Sequence, residues 1–264
     1  MKEQNKTILL SSLLKVFPEE KMPKQQFESF SMLKNEKASF QLAFIGEAGK
    51  EYQFQIESNL KEHIKSYYVE MIPAGTTIPK PQKRPDDYYL DGKKKEYPEL
   101  LRPMQKNIFH AKYDGINTLW FEIDGKDILP SGNHKIELQI FENDILLGKE
   151  SINVEVIDAL LPKQDFIFTN WFHSDCLMSY YHFDAFSDEY WRVVKNYVER
   201  AVEYGMNCIL TPLFTPPLDT KIGGERPTVQ LVDVTITNKN QYIFSFDNLE
   251  KWISMCQEVG IEYF

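Results

Sequence analysis

At 264 residues with 42% hydrophobic content, the chain carries enough apolar material for one large or two ordinary buried cores. Its formal net charge of -9 excludes a surface built to neutralise nucleic-acid phosphates. Three cysteines, Cys176, Cys208 and Cys256, are too few and too widely spaced for a disulfide framework, which points to a reducing compartment.

The N-terminal run MKEQNKTILLSSLLKVFPEE breaks its apolar stretches with Ser and Lys. They are too short for a signal peptide or a membrane span, so the expectation is a soluble, cytoplasmic protein with no membrane partner. Apolar residues then alternate at Phe40, Leu42 and Phe44; Tyr52, Phe54 and Ile56; Leu119, Phe121 and Ile123; Ile136, Leu138 and Ile140; and Ile152, Val154 and Val156. Period two means one buried and one wetted face, hence antiparallel strands, and residues 1–160 read as an antiparallel β-sandwich. Pro130-Ser131-Gly132-Asn133 and Glu142-Asn143-Asp144 supply turns between strands. The stretch from Pro73 to Pro103 is rich in Pro, Lys and Asp and predicts long loops, with Asp86, Asp87, Tyr88 and Tyr89 exposed. Its basic residues, Lys80, Lys83, Arg84 and Lys93 to Lys95, alternate with Pro and Asp and read as a solvated loop.

After Pro162 the period becomes helical and alternates with apolar runs. Phe166 to Phe172 predicts a strand. Ser187 caps a helix with Asp188 and Glu189 in its first turn, where acidic groups suit the macrodipole. Trp191, Val194, Val198, Ala201 and Val202 share one face of that helix, which Gly205 ends. Cys208 to Leu210 predicts a buried strand. A second helix opens on Asp247-Asn248-Leu249-Glu250, a capping box in form, buries Leu249, Trp252, Ile253 and Cys256, and stops at Gly260. Ile261 to Phe264 begins another strand. Strands alternating with helices imply parallel strands joined by crossover helices. Residues 161–264 thus read as the opening of a (β/α) barrel. A complete barrel needs about 250 residues, so the alternatives are a small three-stranded α/β layer or a truncated barrel, and the truncated barrel is expected.

Two segments at strand ends carry the candidate chemistry. In CILTPLFTPPLDTKIGGER, Pro212, Pro216 and Pro217 remove backbone donors and forbid a helix, leaving a stiff loop at the C-terminal end of a strand. Ligands bind at that end in parallel sheets, which selects Thr211, Phe214, Thr215, Asp219 and Arg226, with Thr220 and Glu225 beside them. A proline-stiffened connection whose polar residues only cap turns accounts for the same sequence. The second segment follows the first barrel strand and holds Trp171, His173, Asp175, Cys176, Tyr180, Tyr181, His182 and Asp184. An aromatic face suits the C–H surface of a sugar and His with Asp suits its hydroxyls, so Trp171, His173 and Asp175 are the first candidates. His173 and Asp175 bonded to each other, ordering the loop, is the other reading. The His, Asp and Cys spacing matches no tight zinc pattern, and no metal or other cofactor is expected. Cys176 lacks a base aimed at it, and Cys208 and Cys256 fall at packing positions. Asp188-Glu189 is an adjacent acidic pair, but its place at a helix start already accounts for both charges.

The strings NWFHSDCLMSYY, SDEYWRVVKNYVERAVEYGMN, ILTPLFTPPLDTKIGGERPTVQLVDV and FSFDNLEKWISMCQEVGIEYF resemble the domain of unknown function 4091, which is similar to glycoside hydrolase family 123. The resemblance covers about 100 residues closely and the preceding sandwich more weakly. It implies an N-terminal β-sandwich before a catalytic barrel, and retaining hydrolysis of N-acetyl-hexosaminides with the substrate's acetamido oxygen as nucleophile. It also implies an adjacent Asp-Glu pair, Asp orienting the acetamido group and Glu supplying acid/base catalysis. That pair belongs to a strand beyond Phe264, so residues 1–264 receive no catalytic assignment and the chain alone is expected to be inactive. The expected partner is an amino-sugar glycan. A non-catalytic carbohydrate-binding or interaction protein using the same barrel mouth is the alternative.

Overall fold

The alternating runs form strands of two five-stranded sheets. In chain order the strands are β1 (Thr7–Ser11), β2 (Ser29–Leu33), β3 (Lys37–Gly46), β4 (Glu51–Glu57), β5 (Ile64–Pro73), β6 (Glu96–Pro103), β7 (Ile108–His110), β8 (Gly115–Asp124), β9 (Gly132–Glu142) and β10 (Ile145–Ile157). The computed structural model describes residues 6–73, 96–163, 165–214, 222–225, 227–238 and 241–264. The chain divides into two compact units, Met1–Pro162 and Lys163–Phe264.

In the first unit the sheet orders are β1-β3-β8-β5-β6 and β2-β10-β9-β4-β7. Inward positions at period two bring Phe40, Leu42, Phe44, Leu119 and Phe121 of one sheet into a shared core with Tyr52, Phe54, Leu138, Ile140 and Val154 of the other. Phe54 meets Phe121 edge-on at 5.7 Å, and Phe44 meets Tyr52 at 5.2 Å, so the contact runs from sheet to sheet. Each such ring contributes roughly 1.5 to 3 kcal/mol by leaving water. Asn143 and Asp144 both adopt positive φ, 47° and 64°, which closes the β9/β10 hairpin with Ile145 opposite Glu142.

Two expectations for this unit change. β2 runs parallel to β10, so the unit is not wholly antiparallel. The loop expected from Pro73 to Pro103 contains β6, which carries Pro98 and Pro103 because it is an edge strand with few ladder donors to lose. Asp86 to Tyr89 and the nearby basic residues lie outside the described residues.

The second unit holds β11 (Thr169–Asn170), α1 (Asp175–Tyr181), α2 (Asp188–Glu203), β12 (Cys208–Ile209), β13 (Asp233–Asn238), β14 (Gln241–Ser245) and α3 (Asp247–Val259). β11 pairs in parallel with β12, and Tyr263 bridges Cys208, also in parallel. The strand expected over 166–172 is reduced to two residues for a specific reason. The Asn207 side chain takes up the ladder groups before it, accepting from Phe168 N at 2.8 Å and donating to the Phe166 carbonyl at 3.0 Å. The strand expected from Ile261 is likewise a single bridge, with Glu262 N and Tyr263 N donating to the Asn207 carbonyl at 2.9 and 3.0 Å. These three short segments define a parallel sheet edge; a barrel is more than they contain.

Ser187 caps α2 as its residue type predicts, accepting from Tyr190 N at 3.2 Å. α2 and α3 bury Tyr190, Trp191, Val194 and Val198 with Trp252 and Cys256 in one core. The expected capping box at Asp247 does not form. Phe246 occupies the cap without a side-chain bond, and the first-turn bond is made by Ser245 Oγ, 3.4 Å from Asp247 N. Gly260 ends α3 at φ 110°, where a Cβ would stand 3.1 Å from Val202 Cγ1, so both conformation and space favour glycine. α1 is a short helix that the sequence pattern does not mark. The β13/β14 hairpin lies between the strand expected at Cys208 and the helix expected at Asp247, where the sequence pattern marks no strand.

Candidate functional site

The parallel register fixes which side chains share one end of the small sheet. Thr169 faces Cys208 and Asn170 faces Ile209, so Trp171 and Leu210 both leave the sheet at the C-terminal edge. Topology therefore brings the segment from Trp171 to Asp175 and the segment from Leu210 to Phe214 to the same end, although about 40 residues separate them in sequence.

Trp171 is the most open of these side chains, 71% exposed, with its ring 6.1 Å from that of His173 in an edge-on arrangement. His173 is half-buried. Asp175 is 6% exposed and sits in the first turn of α1, so it belongs to the wall rather than the open surface. Behind it, Ser174 and Tyr190 share a buried hydroxyl contact of 2.9 Å, and burial pushes the Tyr190 phenol up to about 12. Thr211 is half-buried with its hydroxyl toward the Ile209 carbonyl, and Phe214 is 58% exposed. Leu231 N and Val232 N donate to the Pro212 and Leu213 carbonyls at 3.1 and 3.3 Å, which holds the proline loop at its root. Thr215, Asp219, Thr220 and Arg226 lie outside the described residues; Glu225 is exposed.

A cluster of tyrosines lies along α1 and α2. Tyr180 and Tyr181 meet edge-on at 4.9 Å, and the hydroxyls of Tyr181 and Tyr197 are 3.0 Å apart on an exposed surface. His182 closes α1 at φ 60°, and Asp184 is exposed beyond it. Cys176 is exposed, whereas Cys256 is buried and its thiol is pushed up to about 12 by desolvation. Such a thiol is a packing group. Among the described residues no three His, Cys, Asp or Glu side chains converge in a way that would hold a metal ion. Asp188 and Glu189 stand on the solvent side at the start of α2. Glu189 accepts from Arg192 Nε at 3.1 Å, and Arg192 holds its carboxyl below the usual range.

Two further residues organise this region and are not among the candidates read from the sequence. Tyr190 lies on the α2 face already marked by Val194 and Val198, so its burial was legible from the helical period. Asn207 was signalled only by a polar residue placed directly before a buried strand.

The family described as glycoside hydrolase 123, catalytic domain, matches residues 171–263, the stretch from Trp171 to the last sheet segment. Among solved structures the chain is similar to a family 123 glycoside hydrolase from Clostridium perfringens, studied for glycolipid glycan hydrolysis. The TM-score is 0.73 at 10% identity, over 97% of this chain and 46% of that one. At that identity the shared property is the fold, and the chain spans about half the length of that enzyme. A xyloglucanase of glycoside hydrolase family 5 from Bacteroides ovatus overlaps 91% of the chain and 44% of its own length at 8% identity, with a TM-score of 0.28 too low to bear on the fold. No curated protein matches the chain by sequence. No described helix is long and apolar enough to cross a membrane.

Proposed function

We propose that the chain is the glycan-receiving part of a glycoside hydrolase, with residues 1–160 as a sandwich domain and 161–264 as the first strands and helices of a (β/α) barrel. The observation that carries this reading is the coincidence of the family match with the sheet end bearing Trp171. Trp171 offers an exposed ring face for the apolar side of a sugar. His173, Asp175 and Thr211 supply polar groups, and the exposed Phe214 adds a second apolar face. We extend the binding set to Thr215, Asp219 and Arg226 on sequence grounds.

The reaction we assign is retaining hydrolysis of an N-acetyl-hexosaminide of the galactosaminide type. The acetamido oxygen attacks the anomeric carbon, the leaving oxygen takes a proton from a carboxylic acid, and water then opens the oxazolinium ring with that group acting as base. The acetamido-orienting Asp and the acid/base Glu are assigned to no position in 1–264. The only adjacent Asp-Glu pair in the second unit is Asp188-Glu189, and it serves a helix start and Arg192. The test is hydrolysis of a chromogenic N-acetyl-galactosaminide by the chain expressed with any coding sequence that continues past Phe264. Turnover that falls in Trp171→Ala supports the reading. Glycan binding without turnover, in a protein lacking an Asp-Glu pair at a strand end, would favour a carbohydrate-binding protein instead.

A further inference from the structure

The first unit carries a second concave surface, independent of the sheet end described above. It is an open groove of about 510 Å³ beside the paired Tyr68 and Arg102 of β5 and β6, with Lys106, Phe109 and Lys112 on the following segment. Its floor is apolar: Phe109 packs against the buried Tyr68 with ring centres 5.7 Å apart, and Pro103, Met104 and Ile108 continue it. Its rim is cationic.

Among the described residues, three cations line the groove and one carboxylate answers them. Glu70, 8% exposed, accepts from Arg102 through Nε and through Nη2 at 2.9 Å, and from the Lys112 ammonium. This grip fixes the guanidinium plane while leaving Nη1 with no described partner. Lys106 makes no ion pair with any described residue. His110, also on the rim, stands 4.0 Å from Glu51. A fixed guanidinium edge and a nearby ammonium suit a planar or tetrahedral oxyanion, since Arg presents paired donors and Lys a point charge. The groove is too large for a bare anion and has the size and apolar floor of a small-molecule site.

We propose that this groove binds a sugar carrying an acidic group, a carboxylate or a sulfate, with the anion on Arg102 and Lys106 and the ring over Phe109. The probes are 3′-sialyllactose and glucuronic acid, with lactose as the neutral control and inorganic sulfate as the bare anion, titrated calorimetrically into the 264-residue chain. The expected result is millimolar or tighter binding of the acidic sugars, weakened by added salt and by Lys106→Glu roughly tenfold or more, with lactose silent. Arg102→Gln should act the same way but disturbs Glu70, so Lys106→Glu is the decisive variant because its side chain supports no described contact. Trp171→Ala should leave this binding unchanged, which separates the result from glycan binding in the second unit. Equal binding of lactose and 3′-sialyllactose, or sialyllactose affinity unmoved by Lys106→Glu, would overturn the proposal. So would sulfate binding as tightly as either acidic sugar, because the groove would then hold the anion alone.

Discussion

Asn170 and Ile209 pair in parallel register, and this one pairing puts Trp171 and Leu210 at the same edge of the sheet. The candidate site depends on it, because this register sets the edge at which both segments leave the sheet. What holds the pairing is largely Asn207, whose side chain bonds Phe166 and Phe168 and whose carbonyl receives Glu262 and Tyr263.

Asn207→Ala should therefore destabilise the second unit by about 1 to 3 kcal/mol, since it leaves the Phe168 amide and the Phe166 carbonyl without their partners. Chemical denaturation followed by tryptophan fluorescence reads this, as Trp171, Trp191 and Trp252 all belong to that unit. Asn207→Asp keeps the acceptor for Phe168 N but turns a carboxylate oxygen toward the Phe166 carbonyl in place of the donor, so it should not recover the loss. Equal, negligible losses in both variants would mean that the backbone ladder suffices.

Much of this arrangement was legible in the sequence and some of it was not. Period two marked β3, β4, β8, β9 and β10 because large apolar residues alternate along each, although Gln41 and Ala43 of β3 and Ile116 and Thr118 of β8 are buried on the second face as well, and Ser187 and Gly205 marked the limits of α2. β6 was hidden by its prolines, which only an edge position tolerates. β11 was misjudged in length because a side-chain amide replaces its ladder, a substitution that residue type alone does not signal. At the site, strand order identified two segments that leave the sheet at the same edge, but not that Asp175 would be buried in a helix while Trp171 stays open. The hairpin of β13 and β14 was missed because Val234, Ile236, Ile243 and Phe244 are exposed, so no buried face announces it.

That exposure has a measurable consequence. Ile236, Tyr242, Ile243 and Phe244 on the hairpin, with Phe166, Ile167 and Phe214 elsewhere in the unit, are all more than half exposed. Exposed apolar side chains in this number bind hydrophobic dyes and promote association. The 264-residue chain should enhance the fluorescence of such a dye under native conditions, and Ile236→Thr with Phe244→Thr should reduce it. A monodisperse monomer with no dye signal would contradict the expectation.

Two carboxylates of the first unit should respond to pH in opposite senses. Desolvation raises the Glu150 carboxyl against hydrogen bonds from Thr7 and Gln26, so its neutral form favours the fold. That contribution is complete below the unfolded carboxylate range and is lost as pH rises through the raised value. Glu70 is lowered, first by its bonds from Arg102, so its contribution is present above the ordinary range and is lost as pH falls through the lowered value. Melting temperatures from pH 3 to 7 should show Glu150→Gln gaining on the parent toward pH 7. Glu70→Gln should lose most at pH 7 and converge with the parent in acid. The reverse ordering would refute both assignments.

The most direct test of the central claim is calorimetric titration of an N-acetyl-galactosamine-terminated oligosaccharide into the parent chain, Trp171→Ala and Asp188→Ala, alongside the same oligosaccharide ending in galactose. The account predicts binding that requires the acetamido group, weakens roughly tenfold or more without the Trp171 ring, and is unchanged without the Asp188 carboxylate. Binding lost in Asp188→Ala and retained in Trp171→Ala would place the sugar at the start of α2 and contradict it.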